Sequence, residues 1–157
     1  MTPTAPDDRW RQTHLGQLLT EASRRFDARL LAVMAHDEEL SLALAHLAGR
    51  GVLTAAHVHL TRHLPRQGCG LTELAQRASV TKQAMGKLVD QCGAWDLVRR
   101  EPDLRDARAT RVVFTESGLQ WLRAYQRAVT QACTEFESAV GAEVATVIHL
   151  GLEAYAS

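Results

Sequence analysis

Eight residues in the middle of the chain have the types and spacing to hold nucleic acid. Lys82, Gln83 and Lys87 stand within one short helical stretch opened by Thr81, and Thr72 opens the stretch before it. Arg105, Asp106 and Arg108 lie in the polar run Glu101-Pro102-Asp103-Leu104-Arg105-Asp106-Ala107-Arg108. Long cationic and amide side chains reach phosphates and base edges in a major groove. An arginine at a loop tip enters a narrow minor groove, where A·T segments concentrate negative potential, and a neighbouring carboxylate can hold its guanidinium in one geometry. Gly86, lacking a side chain, lets the helix backbone approach closely.

Other chemistry is carried more thinly. His57, His59 and His63 share a short helix, and His59 and His63 are spaced i, i+4, as two ligands of zinc or copper can be. No third ligand has motif spacing, so no metal is expected. His57 shares a face with Leu60 and Leu64 and is a candidate for a buried or ligand-pocket position. Cys69, between two glycines and near Arg66, is a candidate redox thiol; Cys92 and Cys133 fit core positions. No nucleophile elbow, phosphate loop or HExxH motif occurs, so neither catalytic residues nor a cofactor are expected, and the chain is read as a non-enzyme.

The elements that must position these groups follow from periodicity. Leu15, Leu18, Leu19, Ala22, Phe26, Leu30 and Val33 form one helical face. Asp37–Ala48 also reads as helix, stopped by Gly49 and Gly51, and the spacing leaves open whether these are one helix or two. Thr54 caps a helix that Pro65 ends. Thr72 caps Glu73–Ala78, and Thr81 caps Lys82 to about Trp95, whose inward face is Ala84, Leu88 and Cys92 with Met85 and Val89 beside it. Two short helices joined at Ser79–Val80 make a helix-turn-helix. Strands Leu97–Arg100 and Arg111–Thr115 then flank the charged loop, which makes a wing. Thr115 caps a helix with the stripe Leu119, Leu122, Tyr125, Val129, Ala132 and Phe136. Gly141 breaks it, and Ala142–Ala156 is a last helix. The fold class is mainly α with a small β-hairpin wing.

Composition sets the outer limits. The 157 residues suit one domain, and 18 basic against 18 acidic side chains leave zero net charge. That balance keeps a protein–protein role for the winged helix as an alternative. The distribution favours DNA, because Arg77–Arg111 is rich in cations while no Lys or Arg follows Arg127. The polar start lacks an apolar signal core and no stretch is long enough to span a membrane, so a cytoplasmic location is expected. Three scattered cysteines argue against a disulfide framework.

In order and spacing, Leu71-Thr72-Glu73-Leu74-Ala75, Val80-Thr81-Lys82-Gln83-Ala84-Met85, Leu88-Val89-Asp90, Leu97-Val98-Arg99-Arg100, Asp103-Leu104-Arg105-Asp106-Ala107-Arg108 and Phe114-Thr115-Glu116-Ser117-Gly118 resemble the winged helix of the MarR family of transcriptional regulators. The resemblance covers about a third of the chain by motif and the flanking helices by pattern only. It implies a single domain over 1–157, with a winged helix-turn-helix at 53–115 and dimerisation helices at 12–50 and 116–156. It implies a homodimer on double-stranded DNA, working as a repressor responsive to a small-molecule effector. Lys82, Gln83 and Lys87 fall on the family's recognition helix, and Asp106 and Arg108 on its wing Asp-x-Arg pair. Two departures stand out. Asp96 occupies a place where the family usually has glycine, and Ala35–Val52 is longer than the family's usual link, near its ligand pocket.

Overall fold

The computed structural model describes residues 8–103, 106 and 108–157. In chain order it contains α1 (Trp10–Thr13), α2 (Leu15–Met34), α3 (Leu42–Gly49), α4 (Ala55–His63), β1 (Cys69–Gly70), α5 (Leu71–Arg77), α6 (Lys82–Ala94), β2 (Val98–Pro102), β3 (Thr110–Phe114), α7 (Glu116–Val140) and α8 (Ala142–Ala156). The strands form an antiparallel sheet in the order β1-β3-β2. This is a winged helix-turn-helix carried between long helices, as the periodicity predicts.

The first helical region is two helices. Asp37 accepts the backbone N–H groups of Glu39 and Leu40 at 3.0 and 3.1 Å, which closes a turn after α2. Ser41 then caps α3 by accepting from Leu44. The expected start at Asp37 is therefore five residues early: short side-chain acceptors compete with the helix ladder there. Leu40 and Leu44 still reach the core.

Three other expectations are corrected. Thr72 does not cap α5; Gly70 holds that position, because β1 pairs with Val112 and Arg111 of β3 and delivers the chain directly into the helix. The buried face of α6 is Met85, Val89 and Cys92, with Leu88 half-buried and Ala84 exposed. The buried stripe of α7 is Trp121, Ala124, Ala128 and Ala132; Leu119, Leu122, Tyr125 and Val129 flank it half-buried, and Phe136 is exposed. Small residues let α2 and α7 pack with their backbones close, which hydropathy alone ranks below leucine and valine. Trp121 is fully buried and donates its indole N–H to Thr61, itself buried, at 3.2 Å.

Ion pairs also bind α7 to the N-terminal region. Arg127 grips Asp37 with two bonds of 2.6 and 2.8 Å, and Arg29 grips Glu135 with two of 2.6 Å. Hydrogen bonding from Arg127 holds the Asp37 carboxyl below its usual range, and that from Arg29 holds Glu135 at about 2. A carboxyl depressed by folding contributes stability that is complete above its unfolded pKa of about 4 and is lost as the pH falls toward its folded value. Asp37→Asn is expected to cost roughly 1–3 kcal/mol at pH 7, and less and less below about pH 4. Denaturant titrations from pH 7 to pH 3 read this, and a cost that does not change with pH would contradict it.

The core leaves the start of α2 and most of α8 uncovered. Leu15 and Leu18 of α2 are 67% and 55% exposed, and α8 buries no residue at all. Val144, Val147, Ile148, Leu150, Leu152 and Tyr155 all lie open on that helix. No helix among the described residues is long and apolar enough to cross a membrane.

Candidate nucleic-acid interface

α6 is positioned by three devices. Thr81 accepts the Ala84 N–H at 3.2 Å and caps the helix. Ser79, with φ of +54°, makes the tight turn from α5, a left-handed geometry that the sequence reading did not assign to it. Met85, Val89 and Cys92 anchor the inner face. Lys82, Gln83 and Lys87 are thereby left exposed, and none pairs with a described residue. The one acid on α6, Asp90, is held by Arg100 of β2 at 2.7 Å. Thr72, in the first turn of α5, is exposed.

The arginines around this row are mostly engaged. Arg77 pairs with Glu73, while Arg99 and Arg111 share Glu101. Arg111 also donates to the Gln67 carbonyl at 3.0 Å, which ties the wing to the loop before β1. Arg111 is the main cause that lowers the Glu101 carboxyl. Arg108 is exposed and its guanidinium pairs with no described residue. Asp106 accepts the Arg108 backbone N–H at 3.0 Å, so it shapes the turn of the wing rather than gripping the guanidinium, as was expected. Arg105 lies outside the described residues. The turn into the wing passes through Asp96 at φ +57°, where the short acidic side chain sustains the left-handed geometry.

His57 is 5% exposed, in the buried position that was one of its two expected placements, and it lines neither of the clefts described below. Its Nδ1 accepts the Thr54 N–H at 3.0 Å, and its Nε2 lies 3.0 Å from Gln91 Oε1. The redox reading of Cys69 loses its premise. Its side chain is buried, and burial pushes the thiol up; burial pushes Cys92 to about 12, and it is Cys133 that is exposed. His59 lies 2.8 Å from the Ala78 carbonyl through Nε2, and its ring stands edge-on to His63 at 4.5 Å. Among the described residues no group of three His, Cys, Asp or Glu is placed to hold a metal ion.

Two clefts flank α7. One of about 520 Å³ is lined by Arg29, His36, Asp37, Glu39, Arg127 and Gln131, with its charges largely paired. The other, of about 390 Å³, is lined by Arg66, Leu119, Leu122, Arg123 and Gln126.

No family model and no curated protein matches the sequence. Solved structures match its shape. The transcriptional repressor CouR, bound to a 23-mer DNA duplex, aligns with a TM-score of 0.69 at 17% identity over 98% of this chain and 100% of its own. A mutant of MarR from E. coli gives 0.66 at 21% identity, covering 90% of this chain and 96% of its own. The PcaV transcriptional regulator from Streptomyces coelicolor, in complex with its natural ligand, gives 0.64 at 18% over 98% and 97%. These likenesses establish the fold as a winged helix-turn-helix of the MarR type.

Proposed function

We propose that this chain is a cytoplasmic, homodimeric regulator of transcription that binds double-stranded DNA by sequence, acting as a repressor that a small-molecule effector controls. The observation that carries it is the exposed, unpartnered row Lys82, Gln83 and Lys87 on α6, beside a wing that presents Arg108. In a fold where most neighbouring arginines have a carboxylate partner, these side chains are left for an external anion. A solved neighbour of the same fold carries a DNA duplex, which agrees.

The dimer is supported by the bare α8 and the exposed start of α2, whose apolar side chains a second copy would cover. A two-fold dimer places two recognition helices about one helical turn apart, so the operator is a pseudo-palindrome with that spacing. The effector is supported by the smaller cleft, whose lining combines Arg66 and Arg123 with Leu119 and Leu122. That lining suits a small organic anion. The regulator BpsR, another structural neighbour, is controlled by 6-hydroxynicotinic acid.

The test is titration of variants against a selected operator and a random duplex at several salt concentrations. Lys87→Ala is expected to weaken both complexes and to lower the salt slope by about one unit, as loss of a phosphate contact does. Gln83→Ala is expected to relax preference at one base pair at a cost of roughly 1–3 kcal/mol. Arg108→Ala should weaken the operator complex most where the wing meets A·T-rich sequence. Asp106→Ala should cost less, since Asp106 bonds the wing backbone. Wild-type protein with no salt-dependent affinity for any duplex would overturn the proposal and favour a protein–protein role for the winged helix.

A further inference from the structure

Gln91 lies one turn beyond Lys87 on α6 and two beyond Gln83, so the three form a row at i, i+4 and i+8 about 12 Å long. Gln91 is exposed, yet its amide is not free to turn. The constraint comes from beneath the helix. Nδ1 of His57 faces both the Thr54 N–H and the Thr54 hydroxyl at 3.0 Å. The backbone N–H can only donate and the hydroxyl rotates to suit, so Nδ1 accepts and carries no proton. The ring proton therefore sits on Nε2, and Nε2–H donates to the atom facing it at 3.0 Å, which must be the amide oxygen of Gln91. Trp95 packs against the ring at 4.7 Å between centroids and holds it in place. With its oxygen turned inward, Gln91 presents only its NH₂ group outward.

We propose that Gln91 is a phosphate anchor of the DNA-binding face and that His57 is its positioning residue, fixing the amide so that only donors face the nucleic acid. This rests on the DNA-binding function proposed above. An amide locked in this way cannot read adenine, which needs a donor and an acceptor side by side. It matches a phosphate oxygen, which only accepts. Asp90, the neighbour that would repel phosphate, is already held by Arg100. The row would then use cationic Lys87 and neutral Gln91 on the same DNA backbone, with different salt signatures.

The experiment uses the full chain and a random-sequence duplex over a series of salt concentrations. Gln91→Met is expected to weaken binding roughly three- to tenfold at every salt, as loss of a neutral hydrogen bond does. Its slope against salt should stay that of wild type, because a neutral donor displaces no counterion. Lys87→Ala, measured alongside, should lower the slope. His57→Gln keeps an acceptor for the Thr54 N–H, since glutamine at this position of the first turn completes a capping box. It loses the bond to Gln91 and should weaken binding about as much as Gln91→Met. The double variant should then bind no more weakly than Gln91→Met alone, the mark of residues acting through one contact. Imidazole nitrogen shifts should show the proton of His57 on Nε2 in the wild type. Gln91→Met binding as wild type does, while Lys87→Ala weakens, overturns the anchor and leaves DNA binding standing. Full additivity of the two variants overturns the positioning role. Wild type with no salt-dependent binding removes both this proposal and the function beneath it.

Discussion

Val147→Asp is expected to leave a folded protomer that no longer dimerises and binds a palindromic operator only weakly. Val147 is 69% exposed on a helix with no buried residue, so the substitution removes little contact from the chain itself. In a two-fold dimer the change occurs twice. Each copy loses the burial of an apolar side chain, about 1.5–3 kcal/mol, and places a carboxylate against apolar surface where it has no partner. Two half-sites held by one dimer gain from effective concentration, and a monomer forfeits that gain, a loss of roughly 10²- to 10⁴-fold in operator affinity. Light scattering and operator titration read the two effects. A variant that stays dimeric at micromolar concentration would show that α8 is not the interface. A variant that is monomeric yet binds the operator as wild type does would show that dimerisation is not how the site is read.

The parts of this fold that were legible in the sequence are those written in local chemistry. Thr81 and Thr115 are caps in both, because an acceptor side chain ahead of a helical stripe has few other uses. Gly141, at φ +92°, ends α7 where the reading stopped it. What was not legible depends on distant chain. β1 is two residues long and exists only because Val112 and Arg111 of β3 are there to pair with it, and it displaced Thr72 from the cap of α5. The buried face of α7 is set by the close approach of α2, which favours alanines over larger residues that hydropathy would choose. At the candidate site, the row Lys82, Gln83 and Lys87 was legible because charge and spacing coincide. The partner of Gln91 was not, since His57 lies 34 positions away and its bond depends on which nitrogen carries the proton. Cys69 misled for a related reason: flanking glycines suggest an open loop, but pairing with β3 buries the thiol.

Gly118→Ala is expected to cost more than any single surface substitution, whereas Gly86→Ala is expected to stabilise the same protein. Gly118 lies in the first turn of α7, where the helix passes close to Leu97, between α6 and β2, and to Phe114 of β3. A Cβ there would stand 2.0 Å from the Leu97 carbonyl oxygen and 3.0 Å from its carbon, with Phe114 also at 3.0 Å. The obstacle is backbone, so no rotamer change relieves it. Either α7 moves off or the Leu97 carbonyl shifts, and that carbonyl also accepts the Thr115 N–H at 3.1 Å. Overpacking of side chains costs about 1–3 kcal/mol, and a backbone clash should reach at least the top of that range. For a chain of this size that lowers the melting temperature by about 6–12 °C. Leu97 joins α6 to the wing, so the displaced carbonyl also changes the angle between these two elements. Gly86 is the contrast on the neighbouring helix. A Cβ there would meet only Leu71 Cδ2 at 3.8 Å, an ordinary contact. Alanine should therefore raise stability by about 1 kcal/mol through helix propensity. If Gly86 is glycine because the backbone comes close to DNA, Gly86→Ala should bind the operator more weakly despite melting higher. Melting curves and operator titrations on the two variants separate these effects. A Gly118→Ala protein that melts with wild type would refute the packing of α7 against Leu97. A Gly86→Ala protein that melts higher and binds as tightly as wild type would show that no close approach to DNA occurs at that turn of the helix.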